Sequence, residues 1–316
     1  MKIAILDDHQ GVALGVAPWG DLGDDAEVVA FSDNVADDDA LVARLEPFEV
    51  VVAMRERTPF DRARLKRLPN VKLLVTTGMR NASIDVAAAQ ELGIVVSGTG
   101  GVSAATAELT WALILALARH VPAEDRGMRD GGWQSTVGID LAGRTLGIAG
   151  LGNQGAPVAR IGRAFGMRLI AWSQNLTPER AAEHGAEAVS RDELLAQSDV
   201  LSIHLKLSDR SRGLFAAQEL ARMKPTALLV NTSRGPIVDE GALVAALRDG
   251  TIGGAALDVY DTEPLPADHP LRSTPNTVLT PHIGYVTEAT YEVFYGEAVE
   301  DIAAWRAGAP VRVLPA

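Results

Sequence analysis

Short apolar runs alternate with polar, helix-forming stretches through the first third of the chain. Five of the runs are predicted to be strands, and they span residues 2–6, 26–31, 50–53, 71–76 and 94–96. The stretch 84–92 is predicted to be a helix that ends at Gly93. Strands that alternate with helices in this way are typical of an α/β fold with a parallel sheet. Residues 1–98 are therefore predicted to form a domain.

The same alternation resumes at Thr145. Six strands are predicted in this second part of the chain, at residues 146–149, 168–171, 200–204, 228–231, 255–257 and 278–279. Two of the helices between them have start signals: Ser190 and Glu193 form a capping box, and Asp239 caps a helix that stops at Gly250. This part is therefore predicted to be a second α/β domain.

Two long helices lie outside this alternation. Ser103 is predicted to cap a helix over residues 104–120, after the flexible loop 98–101. This helix is apolar on nearly all sides, so it is expected to be buried on several of them. Residues 288–307 are predicted to form the last helix of the chain.

A glycine-rich turn follows the first strand of the second domain. Residues 145–155 have the sequence TLGIAGLGNQG, so three glycines follow the spacing G-x-G-x-x-G between a buried strand and a helix over 156–165. Gly150 is expected to permit the tight turn, Gly152 to let a pyrophosphate approach the backbone, and Gly155 to let the helix lie close to its strand. In this setting the motif predicts dinucleotide binding. The cofactor is expected to lie against Gly150, Gly152, Asn153, Gln154 and Gly155.

Charge and composition narrow the function classes. The 316 residues carry a net charge of −12, which argues against a nucleic acid or an anionic membrane as a partner. No apolar run is long enough to span a bilayer, and the start, MKIAILDD, lacks the pattern of a signal peptide. The chain has no cysteine, which removes disulfides, thiol catalysis and thiolate metal sites. A cytoplasmic protein without a metal site is expected.

Three polar segments follow strands of the second domain. They are VNTSRG at 230–235, LDVYDTEP at 257–264 and LTPHIG at 279–284. Because ligands of open parallel sheets bind beyond the carboxyl ends of the strands, these segments are candidates for a functional site. Each has a structural alternative when taken alone: a histidine after proline can simply close a loop, and Arg234 can pair with Asp239 on the surface.

With the glycine motif, the three segments make the chain resemble the D-isomer-specific 2-hydroxyacid dehydrogenases. That family includes phosphoglycerate dehydrogenase and glyoxylate/hydroxypyruvate reductases. The resemblance implies two Rossmann-like domains with parallel sheets, in which a cofactor domain, 99–284, is inserted into a discontinuous, flavodoxin-like substrate domain of 1–98 and 285–316. It also implies a homodimer built largely on the cofactor domains. The implied reaction is hydride transfer between NAD(P)H and a 2-keto or 2-hydroxy acid, with the protein acting as a reductase.

The resemblance places Arg234, Glu263 and His282 at the catalytic positions of the family. Reduction of a 2-keto acid needs a hydride donor, a proton donor and a cation for the carboxylate and the developing oxyanion. A histidine suits the proton, because the unperturbed pKa of its side chain is about 6.5. A carboxylate beside the histidine favours the imidazolium, which is the role expected of Glu263. Arg234 stays charged, and its planar fork matches a carboxylate.

The resemblance also implies cofactor contacts. Asp258 falls on the residue that orients the nicotinamide, and Thr232 and His204 lie by the cofactor; the alternatives are a structural cap for Asp258 and a satisfied strand-end histidine for His204. Ser173 stands where the fingerprint expects an acid that bonds the adenosine ribose. Lys206 stands where much of the family has proline, and it is expected near the ribose. NAD is slightly favoured over NADP.

The expected substrate loop departs from the family pattern. Many relatives have a loop like AGVGVDNID, whose backbone N–H groups hold the substrate carboxylate, whereas residues 77–85 are TGMRNASID. Gly78 is kept, but Arg80 replaces a small residue, and Arg55 and Arg57 follow the third strand. This positive charge suggests a substrate with a second polar or anionic group. The alternative is that Arg55 and Arg57 are solvated loop residues that pair with Glu56 or Asp61. The residues predicted to bind substrate are Arg55, Gly78, Met79, Arg80 and Arg234.

Two other functions fit the same motifs. Formate or phosphite oxidation occurs on this fold, and formate-oxidising relatives place glutamine beside the histidine, so Glu263 argues against formate. A dinucleotide-sensing protein without catalysis, like the corepressors that share the fold, would keep the Arg-Glu-His set. The acidic charge and the lack of a recognisable partner-binding tail argue against such a protein.

Overall fold

Two parallel sheets divide the chain, and each belongs to a separate unit. Unit 1 comprises Met1–Val102 and Val286–Ala316, and unit 2 comprises Ser103–Tyr285. The computed structural model describes all 316 residues. The strands, in chain order, are β1 Lys2–Ile5, β2 Glu27–Ala30, β3 Val50–Ala53, β4 Leu73–Thr76, β5 Val95–Gly98, β6 Thr145–Ala149, β7 Arg168–Trp172, β8 Glu187–Ala188, β9 Val200–Ile203, β10 Leu228–Asn231, β11 Gly254–Leu257 and β12 Thr277–Leu279. The α-helices are α1 Asp38–Leu45, α2 Arg62–Leu65, α3 Val86–Glu91, α4 Ala104–Ala118, α5 Val121–Arg129, α6 Gly155–Ala164, α7 Pro178–Glu183, α8 Arg191–Gln197, α9 Ala217–Leu220, α10 Glu240–Arg248 and α11 Glu288–Arg306.

The five strands of unit 1 are parallel and lie in the order β2-β1-β3-β4-β5. This is the flavodoxin-like order, in which the direction of winding reverses between β1 and β3. Every residue of β3 and β4 is buried, as is usual for parallel strands that are covered on both faces. The apolar runs of the sequence correspond to these strands.

Unit 1 is completed by the end of the chain. Helix α11 packs against β4 and β5, and its Tyr295 is fully buried. Beyond this helix, Val313 forms an antiparallel bridge with Ser97, and the backbone N–H of Leu314 donates to the carbonyl oxygen of Val96 at 2.8 Å. The first and last stretches of the chain therefore share one core.

Unit 2 contains seven parallel strands in the order β12-β11-β10-β9-β6-β7-β8. Numbered from β6, the first six strands follow the Rossmann order 3-2-1-4-5-6, and β12 adds a seventh strand at the edge. The winding reverses between β6 and β9, which pair directly. The two-residue β8 was not predicted, because it is too short to show an apolar run.

Two predicted helix starts in unit 2 are confirmed. The Ser190 hydroxyl accepts from the backbone N–H of Glu193, and the Glu193 carboxylate accepts from the backbone N–H of Ser190, so the capping box is complete. At the start of α10, the Asp239 carboxylate accepts from the backbone N–H of Ala242 at 2.8 Å. Both contacts satisfy backbone donors that a helix leaves without an internal partner.

Helix α4 is buried on several sides, as its composition predicts. It packs against α6, β10 and β11, and the indole of Trp111 donates to the carbonyl oxygen of Val158 at 3.1 Å. The predicted cap is wrong: Ser103 precedes the helix, but its own backbone is already helical and its side chain accepts no hydrogen bond. No helix of the chain combines the length and apolar character needed to cross a bilayer.

Helix α6 lies very close to the turn that precedes it. A Cβ atom added at Gly155 would lie 2.1 Å from the carbonyl oxygen of Gly150 and 3.0 Å from a methyl carbon of Ile148. Real side chains do not make such contacts with backbone atoms, so the helix can sit there only with glycine. The expected role of Gly155 in close packing is therefore confirmed.

We expect Gly155→Ala to lower the free energy of unfolding by about 1–3 kcal/mol or more, because the added methyl group has to displace backbone. Urea or thermal unfolding measures the change. Gly152→Ala is the matched control, since a Cβ at Gly152 meets nothing within 4 Å and should leave the free energy of unfolding unchanged. Equal stability of the two variants would contradict the packing argument.

Candidate active site

The turn after β6 provides a concave backbone surface at the carboxyl edge of the unit 2 sheet. Gly150 has φ = 101°, a left-handed conformation that favours glycine. Space above Gly152 is open, as a pyrophosphate would require. The backbone N–H groups of Gly152, Asn153 and Gln154 donate to no protein atom. Together with the N-terminus of α6, these donors suit the phosphates of a dinucleotide.

A buried polar atom adjoins these donors. The side-chain oxygen Oε1 of Gln154 is buried and has no hydrogen-bond partner in the protein. Burial of an unpaired amide oxygen costs free energy, so such an atom is suited to accept a hydrogen bond from a bound ligand. The glycine turn and this amide therefore fit a dinucleotide.

The positions expected near the adenosine ribose follow neighbouring strands. Ser173 follows β7 and is half-buried, and its carbonyl oxygen accepts from the backbone N–H of Leu176 in a tight turn. Lys206 follows β9 and is exposed, and its carbonyl oxygen accepts from the hydroxyl of Ser211. Both strands flank β6, so both residues lie along the same edge of the sheet as the glycine turn. No carboxylate stands at Ser173 to bond a ribose or to repel a phosphate.

His204 also lies at this edge, directly after β9. Its Nε2 is 2.8 Å from the hydroxyl of Ser202. Burial lowers the pKa of the His204 imidazole to about 4, so the ring is neutral at neutral pH. It can donate or accept a hydrogen bond there, but it brings no charge to the site.

Arg234 is positioned by a side-chain-bonded turn after β10. The Asn231 side chain accepts from the backbone N–H of Ser233 at 3.0 Å and donates to the carbonyl oxygen of Arg234 at 2.9 Å. The Arg234 guanidinium donates to the carbonyl oxygen of Ser233 at 2.8 Å. A Cβ at Gly235 would lie 2.0 Å from the backbone of Tyr260, so this glycine lets the turn lie directly against the segment that carries Glu263.

Glu263 is held at both carboxylate oxygens. Oε1 accepts from the backbone N–H of Tyr260 at 2.9 Å, and Oε2 lies 2.5 Å from Nδ1 of His282. Burial opposes ionisation of this carboxyl, but the hydrogen bond from His282 and the nearby charges of His282 and Arg234 outweigh it and lower the pKa of Glu263. The carboxylate is therefore ionised at neutral pH, and the three residues predicted to be catalytic lie together.

His282 presents one ring nitrogen outward. Its backbone has φ = 54°, an uncommon conformation for a residue with a side chain, and its ring contacts the edge of Tyr285 at a centroid distance of 5.6 Å. Nδ1 faces Glu263, whereas Nε2 makes no hydrogen bond to the protein, and 25% of the side chain is exposed. This nitrogen is placed to exchange a proton with a bound substrate.

Asp258 shapes the loop that carries the histidine. It is 1% exposed, and its carboxylate accepts from the Thr280 hydroxyl at 2.7 Å and from the backbone N–H groups of Ile283 and Gly284 at 2.8 and 2.9 Å. Burial raises the pKa of this carboxyl, in opposition to these donors. The geometry gives Asp258 the structural capping role that was the alternative to nicotinamide contact, and three of its acceptor sites are occupied.

Two threonines of α4 contact the site segments, and sequence reasoning missed them. The Thr106 hydroxyl donates to the carbonyl oxygen of Gly284 at 3.1 Å, and the hydroxyls of Thr110 and Thr232 lie 2.8 Å apart. The two threonines are four residues apart and therefore share one face of the helix. A pair of hydroxyls on one face of an otherwise apolar helix was the signal that could have located them.

The residues predicted to bind substrate, apart from Arg234, lie in unit 1 in the turns after β3 and β4. Gly78 has φ = 99°, and its backbone N–H donates to the Thr99 hydroxyl at 2.9 Å. The Arg55 guanidinium crosses Gly78: its Nη1 would be 1.9 Å from an added Cβ, and it donates to the carbonyl oxygen of Thr77 at 3.2 Å. Arg55 Nε also lies 3.8 Å from a carboxylate oxygen of Glu56, one of the two acids considered as a partner for Arg55 and Arg57.

The outer part of this loop is open. The backbone N–H groups of Met79 and Arg80 donate to no protein atom, and both side chains are exposed. By contrast, Arg57 is turned inward, where its guanidinium donates to the carbonyl oxygen of Asp7 at 2.9 Å. Of the three arginines considered for substrate binding, Arg80 extends furthest into solvent. Nowhere in the chain do three histidine, aspartate or glutamate side chains form a group that could hold a metal ion.

Comparison with known sequences agrees with these features. The family described as D-isomer specific 2-hydroxyacid dehydrogenase, NAD binding domain, matches residues 111–284. A glyoxylate reductase of Aeropyrum pernix is 46% identical over 254 residues, which are 77% of this chain and 76% of the relative. A D-3-phosphoglycerate dehydrogenase of Archaeoglobus fulgidus is 37% identical over 275 residues, which are 86% of this chain and 52% of the relative.

Solved structures extend the likeness to nearly the whole chain. The crystal structure of a phosphoglycerate oxidoreductase from Vibrio cholerae has a TM-score of 0.93 and 41% sequence identity, and the match covers 98% of this chain and all of the other (100%). The family match includes the glycine turn and the three segments that hold Arg234, Glu263 and His282. The chain belongs to the D-isomer-specific 2-hydroxyacid dehydrogenase family and is an oxidoreductase that uses a nicotinamide cofactor.

Proposed function

We propose that the protein reduces a 2-keto acid to a 2-hydroxy acid, with His282 as the proton donor, Glu263 as its partner and Arg234 as the cation beside the reacting carbonyl. The observation that supports this most directly is the hydrogen bond between His282 and an ionised Glu263, with the other ring nitrogen of His282 open. When bound, the reduced nicotinamide supplies the hydride. The names of the curated relatives, glyoxylate reductase above all, support the direction of the reaction.

The proton comes from Nε2 of His282. Glu263 accepts the hydrogen bond from Nδ1, so the imidazolium is oriented and its charge is balanced. As hydride reaches the carbonyl carbon, negative charge develops on the carbonyl oxygen, and transfer of the Nε2 proton to that oxygen completes the hydroxyl group. The remaining neutral imidazole stays in the same hydrogen bond, ready to take up a proton from solvent for the next turnover.

Arg234 stabilises the charge that develops on the substrate. Its guanidinium remains protonated at any physiological pH, and the turn held by Asn231 fixes its backbone. A fixed cation favours the oxyanion more than the neutral carbonyl, which lowers the barrier rather than only strengthening binding. In unit 1, we assign the substrate carboxylate to the open N–H groups of Met79 and Arg80, next to Gly78 and Arg55.

The cofactor is assigned to unit 2. Gly150, Gly152 and Gly155 form the turn for its phosphates, together with the backbone donors of Asn153 and Gln154. Ser173 and Lys206 are assigned to the adenosine end. Thr232, His204 and Asp258 are assigned to positions beside the cofactor, with Asp258 acting mainly through the loop that carries His282.

We also propose a cytoplasmic homodimer. Four large apolar side chains are exposed in the region of α5 and the loop after it, and the exposed fraction reaches 75% for Trp133 and 90% for Val137; the other two are Val121 and Met128. Helix α5 has no buried residue. A second copy of unit 2, placed against this region, would remove that apolar surface from water.

The first prediction concerns the proton donor. His282→Ala should lower turnover by about 10²–10⁴-fold, because it removes the imidazole that is paired with Glu263 and proposed to donate the proton. Binding of NADH, followed by its fluorescence, should persist. His184→Ala serves as the matched control, since His184 is an exposed histidine of the same unit. Near-normal turnover of His282→Ala with glyoxylate or hydroxypyruvate would refute the assignment.

The second prediction concerns the coupling of Glu263 to the histidine. In Glu263→Gln the imidazolium loses its anionic partner, so its protonated form is less favoured. Reduction requires that form, and the rate falls as it deprotonates; the falling limb of kcat/KM against pH should therefore move to lower pH. Glu183→Gln, at an exposed position of the same unit, should leave the profile in place. An unmoved profile in Glu263→Gln would show that the two residues are not coupled.

The third prediction concerns the choice of cofactor. Because Ser173 replaces an acid, NADH should be preferred over NADPH by less than about 100-fold, or about 3 kcal/mol. Ser173→Asp should increase this preference by repelling the 2′-phosphate, whereas Ser173→Asn, of the same size but uncharged, should not. Values of kcat/KM with both cofactors test this. A wild-type preference for NADH beyond the stated limit would contradict it.

A further inference from the structure

Arg80 differs from every other arginine of unit 1. It is exposed and has neither an ion pair nor a hydrogen bond to the protein. The other arginines of the unit all have partners, which are Asp33 for Arg44, Thr77 for Arg55, Asp7 for Arg57, Glu91 for Arg62, Asp38 for Arg64, Asp39 for Arg67, Asp25 for Arg306 and Asp301 for Arg312. Arg80 is therefore the one arginine of unit 1 whose guanidinium has no partner in the protein.

The loop that carries Arg80 is held to the rest of unit 1 by hydrogen bonds from buried side chains, whereas the Arg80 side chain itself is exposed. The Asn81 side chain donates to the carbonyl oxygen of Arg55 at 2.6 Å and to the Thr76 hydroxyl at 2.9 Å, and Asn81 is buried. The Thr77 hydroxyl accepts from the backbone N–H of Arg55 at 2.9 Å. These contacts hold the backbone of the loop in place without using the guanidinium of Arg80.

The loop offers two separate sets of donors. The adjacent backbone N–H groups of Met79 and Arg80 donate to no protein atom, and each can donate to one oxygen of a bound carboxylate. The Arg55 guanidinium adds positive charge next to Gly78. The Arg80 guanidinium is an additional, planar set of donors that matches a further carboxylate, phosphate or phosphonate.

We propose that the substrate is a 2-keto acid with a second anionic group and that the Arg80 guanidinium binds this group. This proposal rests on the proposed reduction of 2-keto acids and adds the class of substrate. The second group is a carboxylate, a phosphate or a phosphonate, since all three present paired oxygens to a guanidinium. Because the backbone N–H of residue 80 remains after substitution of its side chain, the two functions of the loop can be separated experimentally.

The experiment compares kcat/KM for two groups of substrates with saturating NADH. The singly charged probes are glyoxylate and pyruvate, and the probes with a second anionic group are oxaloacetate, 2-oxoglutarate and 3-phosphonopyruvate. In Arg80→Ala, the ratio of kcat/KM for the best doubly charged probe to that for glyoxylate should fall by about 10–100-fold, mainly through KM, because one charge-assisted contact is lost. The dicarboxylates and the phosphonate in turn show which anionic group the wild-type protein prefers.

Two further variants make the result specific. Lys66→Ala removes one exposed positive charge from the same unit and should leave the ratio unchanged. Arg80→Lys keeps the charge but not the planar fork, so it should restore part of the ratio. If thermal unfolding shows that Arg80→Ala is unfolded, Arg80→Gln takes its place, because it retains most of the length of the side chain.

Three outcomes would overturn the proposal. Equal losses for both groups of probes in Arg80→Ala would assign Arg80 to the shared carboxylate or to the fold. Unchanged kinetics would make Arg80 a surface residue. Wild-type protein that reduces only the singly charged probes would show that the second group is not recognised. Failure of the wild-type protein to reduce any 2-keto acid would refute the proposed function itself, which is a distinguishable result.

Discussion

The parallel direction of the strands is the constraint on which the functional architecture depends. In each unit all strands point the same way, so the segments that follow them emerge at one edge of the sheet. In unit 2 this edge carries the glycine turn after β6 and the segments with Arg234, Glu263 and His282, although together these features span residues 150–282 of the chain. The topology of the sheet therefore brings these segments to one place, whatever side chains they carry.

Hydrogen bonds to two carboxylates, Asp258 and Glu263, then fix the side chains and loops at this edge. Asp258 accepts three donors from the loop after β12, and Glu263 accepts one backbone donor and the ring of His282. Each carboxylate spans two segments that the sheet brings near. Asp258 is 1% exposed, so an unpaired oxygen of its carboxylate would be costly. His282 can therefore keep an uncommon backbone conformation, since the contacts on both sides of it specify the loop.

In unit 1, hydrogen bonds also fix a loop at the end of a strand, but they leave one side of that loop open. Its loop after β4 is saturated with hydrogen bonds on the inner side through Asn81 and Thr77, while the outer N–H groups and Arg80 remain available. Most arginines of this unit are paired with acids on the surface, where such pairs contribute little free energy. Arg80 makes no such pair, which is consistent with its proposed role in binding the substrate.

The sequence by itself determined all strands of both sheets except β8, together with the glycine turn, the capping box at Ser190 and the candidates Arg234, Glu263 and His282. Buried parallel strands, glycine turns and helix starts leave local patterns in a sequence. Only the tertiary structure decided which nitrogen of His282 faces Glu263, that Asp258 is occupied by the loop it holds, and that Thr106 and Thr110 join the site. It also showed that the Ser103 side chain accepts no capping hydrogen bond. It distinguished Arg80, whose guanidinium makes no hydrogen bond or ion pair to the protein, from Arg55 and Arg57, whose guanidinium groups donate to backbone carbonyl oxygens. These outcomes depend on contacts between residues far apart in the chain, on burial and on backbone angles, which local composition does not specify. For Thr106 and Thr110 the sequence indicates only that they share one face of a helix.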